Sequence, residues 1–151
     1  GWGREHLVFE NQGVKIGPSI CYEGIYGDYF AGFARNGAEV MALISNDGWW
    51  GDTPGHRRLF DFARLRAIET RRDVARSANT GVSGFITMQG EDLQRLEWDK
   101  RGVLTADIRI NNKQTFYTKY GDYIGRLSLY IAMLCLLYFV AYSAKKRFYL
   151  N

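Results

Sequence analysis

Cysteine is scarce in this sequence: two in 151 residues, too few for a disulfide framework. No CxxC spacing and no Cys/His cluster points to a structural zinc, so no metal and no cofactor is expected. Proline is equally scarce, also two, and no low-complexity tract exists, which excludes a polyproline or mucin-like chain. Acidic residues are missing after Asp122, and residues 127–144 carry no charge at all. Of the 20 Lys and Arg, 17 lie within residues 1–126, where they exceed the 16 acidic residues by one. Most of the net +4 is therefore a cap at Lys145, Lys146 and Arg147, not the broad basic face of a nucleic-acid binder, and no nucleic-acid partner is expected. There is no initiator Met and no signal-peptide pattern, and Gly1 reads as the middle of something longer.

What is present divides in two, which the mean hydropathy of −0.28 conceals. With 46% hydrophobic and 24% charged residues, the chain as a whole is not disordered. Leu127 to Ala144 (LSLYIAMLCLLYFVAYSA) would span ~27 Å as a helix, against a hydrocarbon core of ~30 Å. Tyr130, Tyr138 and Tyr142 can reach interfaces, and Arg126 can snorkel. Three segments are expected: 1–123 globular and extracytoplasmic, 124–144 transmembrane, and 145–151 a basic cytoplasmic tail. Cys135, in mid-span, reads as a small apolar packer.

In the globular part, Val14–Ile20 reads as a short strand and Ile25–Asn36 as a helix closed by Gly37. Glu39–Ser45 is a near-continuous apolar run, as in a strand buried on both faces. Asn46–Gly55 (NDGWWGDTPG) is a loop, and His56–Arg72 a helix whose apolar side is Leu59, Phe62, Ala63, Leu65 and Ile68. Val74–Ser77, Gly84–Met88 and Val103–Ile110 read as further strands, giving α/β layering.

Cys21 stands where a strand gives way to a turn, the edge at which α/β folds place functional groups. A thiolate there would be a nucleophile, although a buried structural cysteine is the blander alternative. Glu23, on the same side as Cys21 if the segment is extended, could hold a turn, pair with an arginine or act as a base. Trp49 and Trp50 are costly to expose, so they pack on the domain, line a pocket or enter a membrane interface. Arg57, Arg58, Arg64, Arg66, Arg71, Arg72 and Arg76 read as a solvated face or as a binder of anionic headgroups. His6 and His56 read as surface residues.

Five blocks in order carry a resemblance. They are Ile20-Cys21-Tyr22-Glu23; Ser45 to Gly55; Ala63-Arg64-Leu65-Arg66-Ala67-Ile68-Glu69-Thr70; Ser77-Ala78-Asn79-Thr80-Gly81-Val82-Ser83; and Phe116-Tyr117-Thr118-Lys119-Tyr120-Gly121-Asp122 before the apolar segment. Together they resemble the bacterial apolipoprotein N-acyltransferases of the nitrilase superfamily, over nearly the whole chain. The resemblance implies part of a nitrilase-like α-β-β-α sandwich followed by one transmembrane helix. It also implies a multi-pass protein of the bacterial inner membrane. The implied catalytic set is Glu, Lys and Cys. Cys21 matches the nucleophile that takes an acyl chain from a phosphatidylethanolamine-like phospholipid as a thioester. The implied acceptor is the amine of a diacylglyceryl-cysteine on an apolipoprotein. Tyr22 and Glu23 match residues supporting the nucleophile. Trp49 matches the loop tryptophan at the substrate entrance, and Trp50 is placed with it in substrate binding.

The family's Glu and Lys lie upstream of its cysteine. Arg4-Glu5-His6-Leu7-Val8-Phe9 echoes the Lys-bearing segment but lies too close to Cys21 and has Arg for Lys, so neither Arg4 nor Glu5 is assigned. The chain is therefore expected to be the C-terminal portion of a monomeric enzyme, inactive alone. Two other readings stay open: a membrane-tethered amidase or nitrilase with water as acceptor, and a non-catalytic membrane-anchored binding domain.

Overall fold

The computed structural model describes residues 5–150, the last four by their helical backbone alone; Arg4 lies outside them. The described residues divide between Gly121 and Asp122 into two compact units.

The first unit is built on one six-stranded sheet whose strands lie in chain order: β1 (Phe9–Asn11), β2 (Val14–Ile20), β3 (Val40–Ser45), β4 (Val74–Ala78), β5 (Ser83–Ile86) and β6 (Asp92–Leu96). β2, β3 and β4 are parallel, and the flanking pairings are antiparallel. Parallel neighbours need crossovers, and two helices supply them: α1 (Gly27–Arg35) and α2 (Pro54–Thr70). The β1–β2 hairpin turns on Gln12 and Gly13, both at positive φ as a two-residue type I′ turn requires. α1 ends as expected before Gly37, whose φ of +94° suits a residue without a Cβ.

α1 and α2 share a core with the sheet: Phe30, Phe33, Met41, Leu43, Phe60, Ala63, Ala67, Val74, Val82 and Ile86. The other sheet face carries exposed Ile20 and Ile44. The unit thus has one helical layer packed on one face of a single sheet, which corresponds to an α-β half of the sandwich that the resemblance implies. β3 is accordingly buried along one face, at Met41, Leu43 and Ser45, while its other face runs from buried Val40 through half-buried Ala42 to exposed Ile44, so the expected burial on both faces holds only at its start. α2 is likewise turned from its expected orientation. Leu59, Phe60, Ala63, Arg66, Ala67 and Thr70 face inward, while Phe62, Leu65 and Ile68 are partly exposed. It starts on Thr53, whose side chain accepts from the Gly55 N–H, with Pro54 at the first helical position, and it ends at a left-handed Arg71.

Val103–Ile110 alternates in burial as a strand would but joins no ladder among the described residues. It is pinned by side chains: Asp73 Oδ2 accepts from the Arg109 N–H at 2.7 Å, and Gln94 Oε1 from the Thr105 N–H at 3.1 Å. A short helix, α3 (Phe116–Tyr120), then packs against α1 and α2, with Arg35 Nη1 donating to the Thr118 carbonyl at 3.0 Å.

The second unit contains α4 (Tyr123–Leu150). Its stretch Tyr123–Lys146 is long and apolar enough to cross a membrane by length and composition.

Candidate active site

Because Ile20 pairs with Ile44 and Ser45 with Ala78, the three parallel strands end at one edge. Their carboxyl ends bring together the turn after β2, the tryptophan loop after β3 and the Asn79-Thr80 segment after β4. This edge is where an α/β sheet exposes backbone and side chains to a ligand.

Cys21 opens a 3-10 turn (Cys21–Ile25) with φ +53°, a left-handed conformation that a residue with a Cβ adopts only when its surroundings impose it. Glu23 imposes it from one side. Its Oε2 accepts from the Ile20 N–H at 2.7 Å and its Oε1 from the Tyr29 hydroxyl at 3.1 Å. The segment is therefore not extended, and Glu23 folds back under the turn with both oxygens engaged. Burial, and then the hydrogen bond and charge of Glu23, push the Tyr29 hydroxyl above the usual tyrosine range. At the other end of the turn, buried Arg66 donates from Nη1 to the Ile25 carbonyl at 3.3 Å and pairs with Glu69. Gly24 is buried against Leu43, which an added Cβ would approach to 3.2 Å. Cys21 is in no disulfide, and the residue is half-buried. Tyr22 points outward and is about half exposed.

The two tryptophans part company. Trp49 is 82% exposed, whereas Trp50, at 38%, lies over Gly55, whose Cβ would stand 2.3 Å from the indole. His56 is buried, with its ring 4.4 Å from that of Trp98 and Nε2 3.4 Å from Asp52 Oδ1. It is not a surface residue, because the N-terminal turn of α2 rolls it under β6's trailing loop. His6 is half-buried between Tyr29 and Phe33, at 4.4 and 5.1 Å between ring centres.

The arginines also divide. Arg57, Arg58 and Arg71 are exposed, and Arg64 makes a bidentate pair with Asp92, whose hydrogen bonds raise its pKa. Arg66, Arg72 and Arg76 are buried. Arg72, its pKa lowered by burial, donates to the carbonyls of Ala38, Thr70 and Lys113. Arg76 pairs with buried Asp47. A solvated face does not describe these three. A partial signal stood at Arg76, which alternates with apolar Val74 on one face of β4, and a charge buried on such a face demands a partner that the sequence does not name. Among the described residues, no group of three or more His, Cys, Asp or Glu could hold a metal ion.

A family model described as carbon-nitrogen hydrolase matches residues 2–116. Among curated proteins, an apolipoprotein N-acyltransferase of Chlorobaculum tepidum is 38% identical over 135 residues, 86% of this chain and 25% of that protein. One of Thermotoga maritima is 30% identical over 133 residues, 87% of this chain and 26% of that protein. The chain thus spans about a quarter of the length of these relatives. Among solved structures, an amidase from Nesterenkonia sp. with acrylamide added at its active-site cysteine superposes over 85% of this chain and 50% of its own, with TM-score 0.56 and 16% identity. A glutamine-dependent NAD+ synthetase from Acinetobacter baumannii covers 66% of this chain and 20% of its own, with TM-score 0.59 and 16% identity. These likenesses show a nitrilase-type fold.

Proposed function

The chain belongs to the carbon-nitrogen hydrolase family, and from that premise we propose that it is the cysteine-bearing part of an apolipoprotein N-acyltransferase. The observation that carries the reading is the partly exposed, left-handed Cys21 at the common edge of three parallel strands, beside a loop that presents Trp49 to the outside.

The Cys21 thiolate attacks the carbonyl carbon of a phospholipid acyl ester. The lysophospholipid leaves as the alcohol after taking up a proton, and the acyl chain stays on sulfur as a thioester. The α-amine of a diacylglyceryl-cysteine then attacks that thioester, forming an amide and returning the thiol. Two easy transfers replace one difficult one. The base that takes the thiol proton and the cation that steadies the oxyanion come from a Glu and a Lys upstream of this segment, so the segment alone is inactive. Glu23 and Tyr22 support the nucleophile, Glu23 as the clamp on its turn. Trp49 and Trp50 meet the lipid substrate. Residues 1–123 lie outside the cytoplasm of a bacterial inner membrane, 124–144 cross it, and 145–151 return to the cytoplasm. An anchor of this kind keeps the thiol beside two substrates that never leave the bilayer, which raises their effective concentration.

The test uses the complete gene product in membranes. With acyl-labelled phospholipid, label is expected on Cys21, released by hydroxylamine and discharged by a diacylated peptide bearing a free amine. Equal labelling of Cys21→Ala would overturn the assignment. Discharge by water without amide product would favour the amidase reading.

A further inference from the structure

β3 and β4 end side by side, and a fully buried charge pair lies between their ends. Asp47 Oδ2 accepts from Arg76 Nη2 at 2.8 Å, and Asp47 Oδ1 accepts from the Ser45 hydroxyl at 2.5 Å. Arg76 Nη1 donates to the Val82 carbonyl. Room for the carboxylate exists only because residue 81 is glycine: a Cβ there would stand 1.9 Å from Asp47 Oδ2. The Asp47 N–H donates to Asn79 Oδ1 at 3.1 Å, and Asn79 Nδ2 donates to Asn46 Oδ1 at 2.7 Å. Both residues that begin the tryptophan loop are thereby stitched to the chain leaving β4. Two residues beyond Asp47, Trp49 stands almost wholly in the open.

A buried ion pair adds little net stability, since desolvation offsets most of the attraction. Its partners do hold a fixed geometry, because a carboxylate with both oxygens engaged in a low-dielectric site has no alternative arrangement of similar energy. Loop residues at a binding site need such support from the layer beneath them.

We propose that the Asp47–Arg76 pair, with Ser45 and Asn79, is a positioning device that fixes the root of the Asn46–Asp52 loop and so holds Trp49 and Trp50 over the edge that carries Cys21. What the loop meets, a long-chain acyl ester, rests on the acyltransferase reading above; the anchoring does not.

The experiment compares Asp47→Asn, Arg76→Gln, the double variant and Asn79→Ala in the complete protein in detergent. It measures chymotryptic cleavage after Trp49, alkylation of Cys21 by iodoacetamide, and KM and kcat for the lipid donor. Each buried single variant is expected to raise both cleavage rate and donor KM about tenfold, leaving kcat and alkylation within about twofold. Removing both charges together should recover part of the loss. Should the buried variants fail to fold, Asn79→Ala decides: it is exposed, keeps the ion pair, and should raise cleavage and KM about threefold. Unchanged cleavage and KM in Asn79→Ala, or a fall in kcat and alkylation with KM unmoved, would overturn the anchor. Altered cleavage with no acyl transfer by the unsubstituted protein would sustain the anchor and overturn the acyltransferase reading.

Discussion

At Cys21 the backbone holds a conformation that its side chain disfavours, and Glu23 supplies the hydrogen bonds that keep it there. A carboxylate with one oxygen on the Ile20 N–H and the other under the Tyr29 hydroxyl ties the start of the turn to α1. Glu23→Gln and Tyr29→Phe are each expected to cost about 1 kcal/mol of stability, and together less than the sum, because they share one hydrogen bond. The pH dependence follows from Tyr29. Its pKa is raised in the folded protein, so the folded state keeps that proton longer than the unfolded chain. The contribution is complete below the ordinary tyrosine value of about 10 and is lost as pH rises through the higher folded value. Urea midpoints measured across the alkaline range should therefore fall less steeply for Tyr29→Phe than for the unsubstituted chain.

At the scale of elements, the close approach of α1 to the sheet depends on Gly17 in β2. A Cβ there would stand 2.8 Å from both Phe33 Cβ and Met41 Sδ and 3.0 Å from Ala38 Cβ. Two of these atoms are Cβ carbons fixed to backbone, so the strain has no flexible tip to absorb it. Gly17→Ala is expected to destabilise the globular unit by about 1–3 kcal/mol, measured as a lowered denaturation midpoint with unchanged m-value. Gly13 makes the contrasting control for space, since nothing lies within 4 Å of an added Cβ and only its positive φ resists substitution. The same elements explain the arginines. Arg66 reaches from α2 to the turn that bears Cys21, and Arg72 closes the end of α2 onto the carbonyls of Ala38 and Lys113.

At the scale of the whole molecule, an α/β unit is joined in sequence to a helix with no charge for eighteen residues. If α4 spans the bilayer, a charge at its centre should be costly. Leu134→Arg is expected to make insertion less favourable by about 2.5–3.5 kcal/mol on a translocon scale. The readout is the fraction of the chain retained in membranes after alkaline carbonate extraction, which should fall for Leu134→Arg and stay level for Leu134→Ile. Equal retention of all three would count against a spanning helix.

The sequence by itself determined the order of β2, α1, β3, α2 and β4, the turn at Cys21, the tryptophan loop and the apolar terminal segment. Each is written in local terms, as apolar period, turn residues and capping groups within a few positions of one another. β1 and β6 escaped because short exposed edge strands carry little apolar pattern, and Val103–Ile110 carries the pattern of a strand but joins no ladder among the described residues. Only the tertiary structure decided which polar groups are buried and with whom. Arg76 meets Asp47 across 29 positions and Arg66 meets Ile25 across 41, while His56 lies beneath Trp98. Burial of a charge is set by what the fold brings over it, and that packing is a property of elements far apart in the chain.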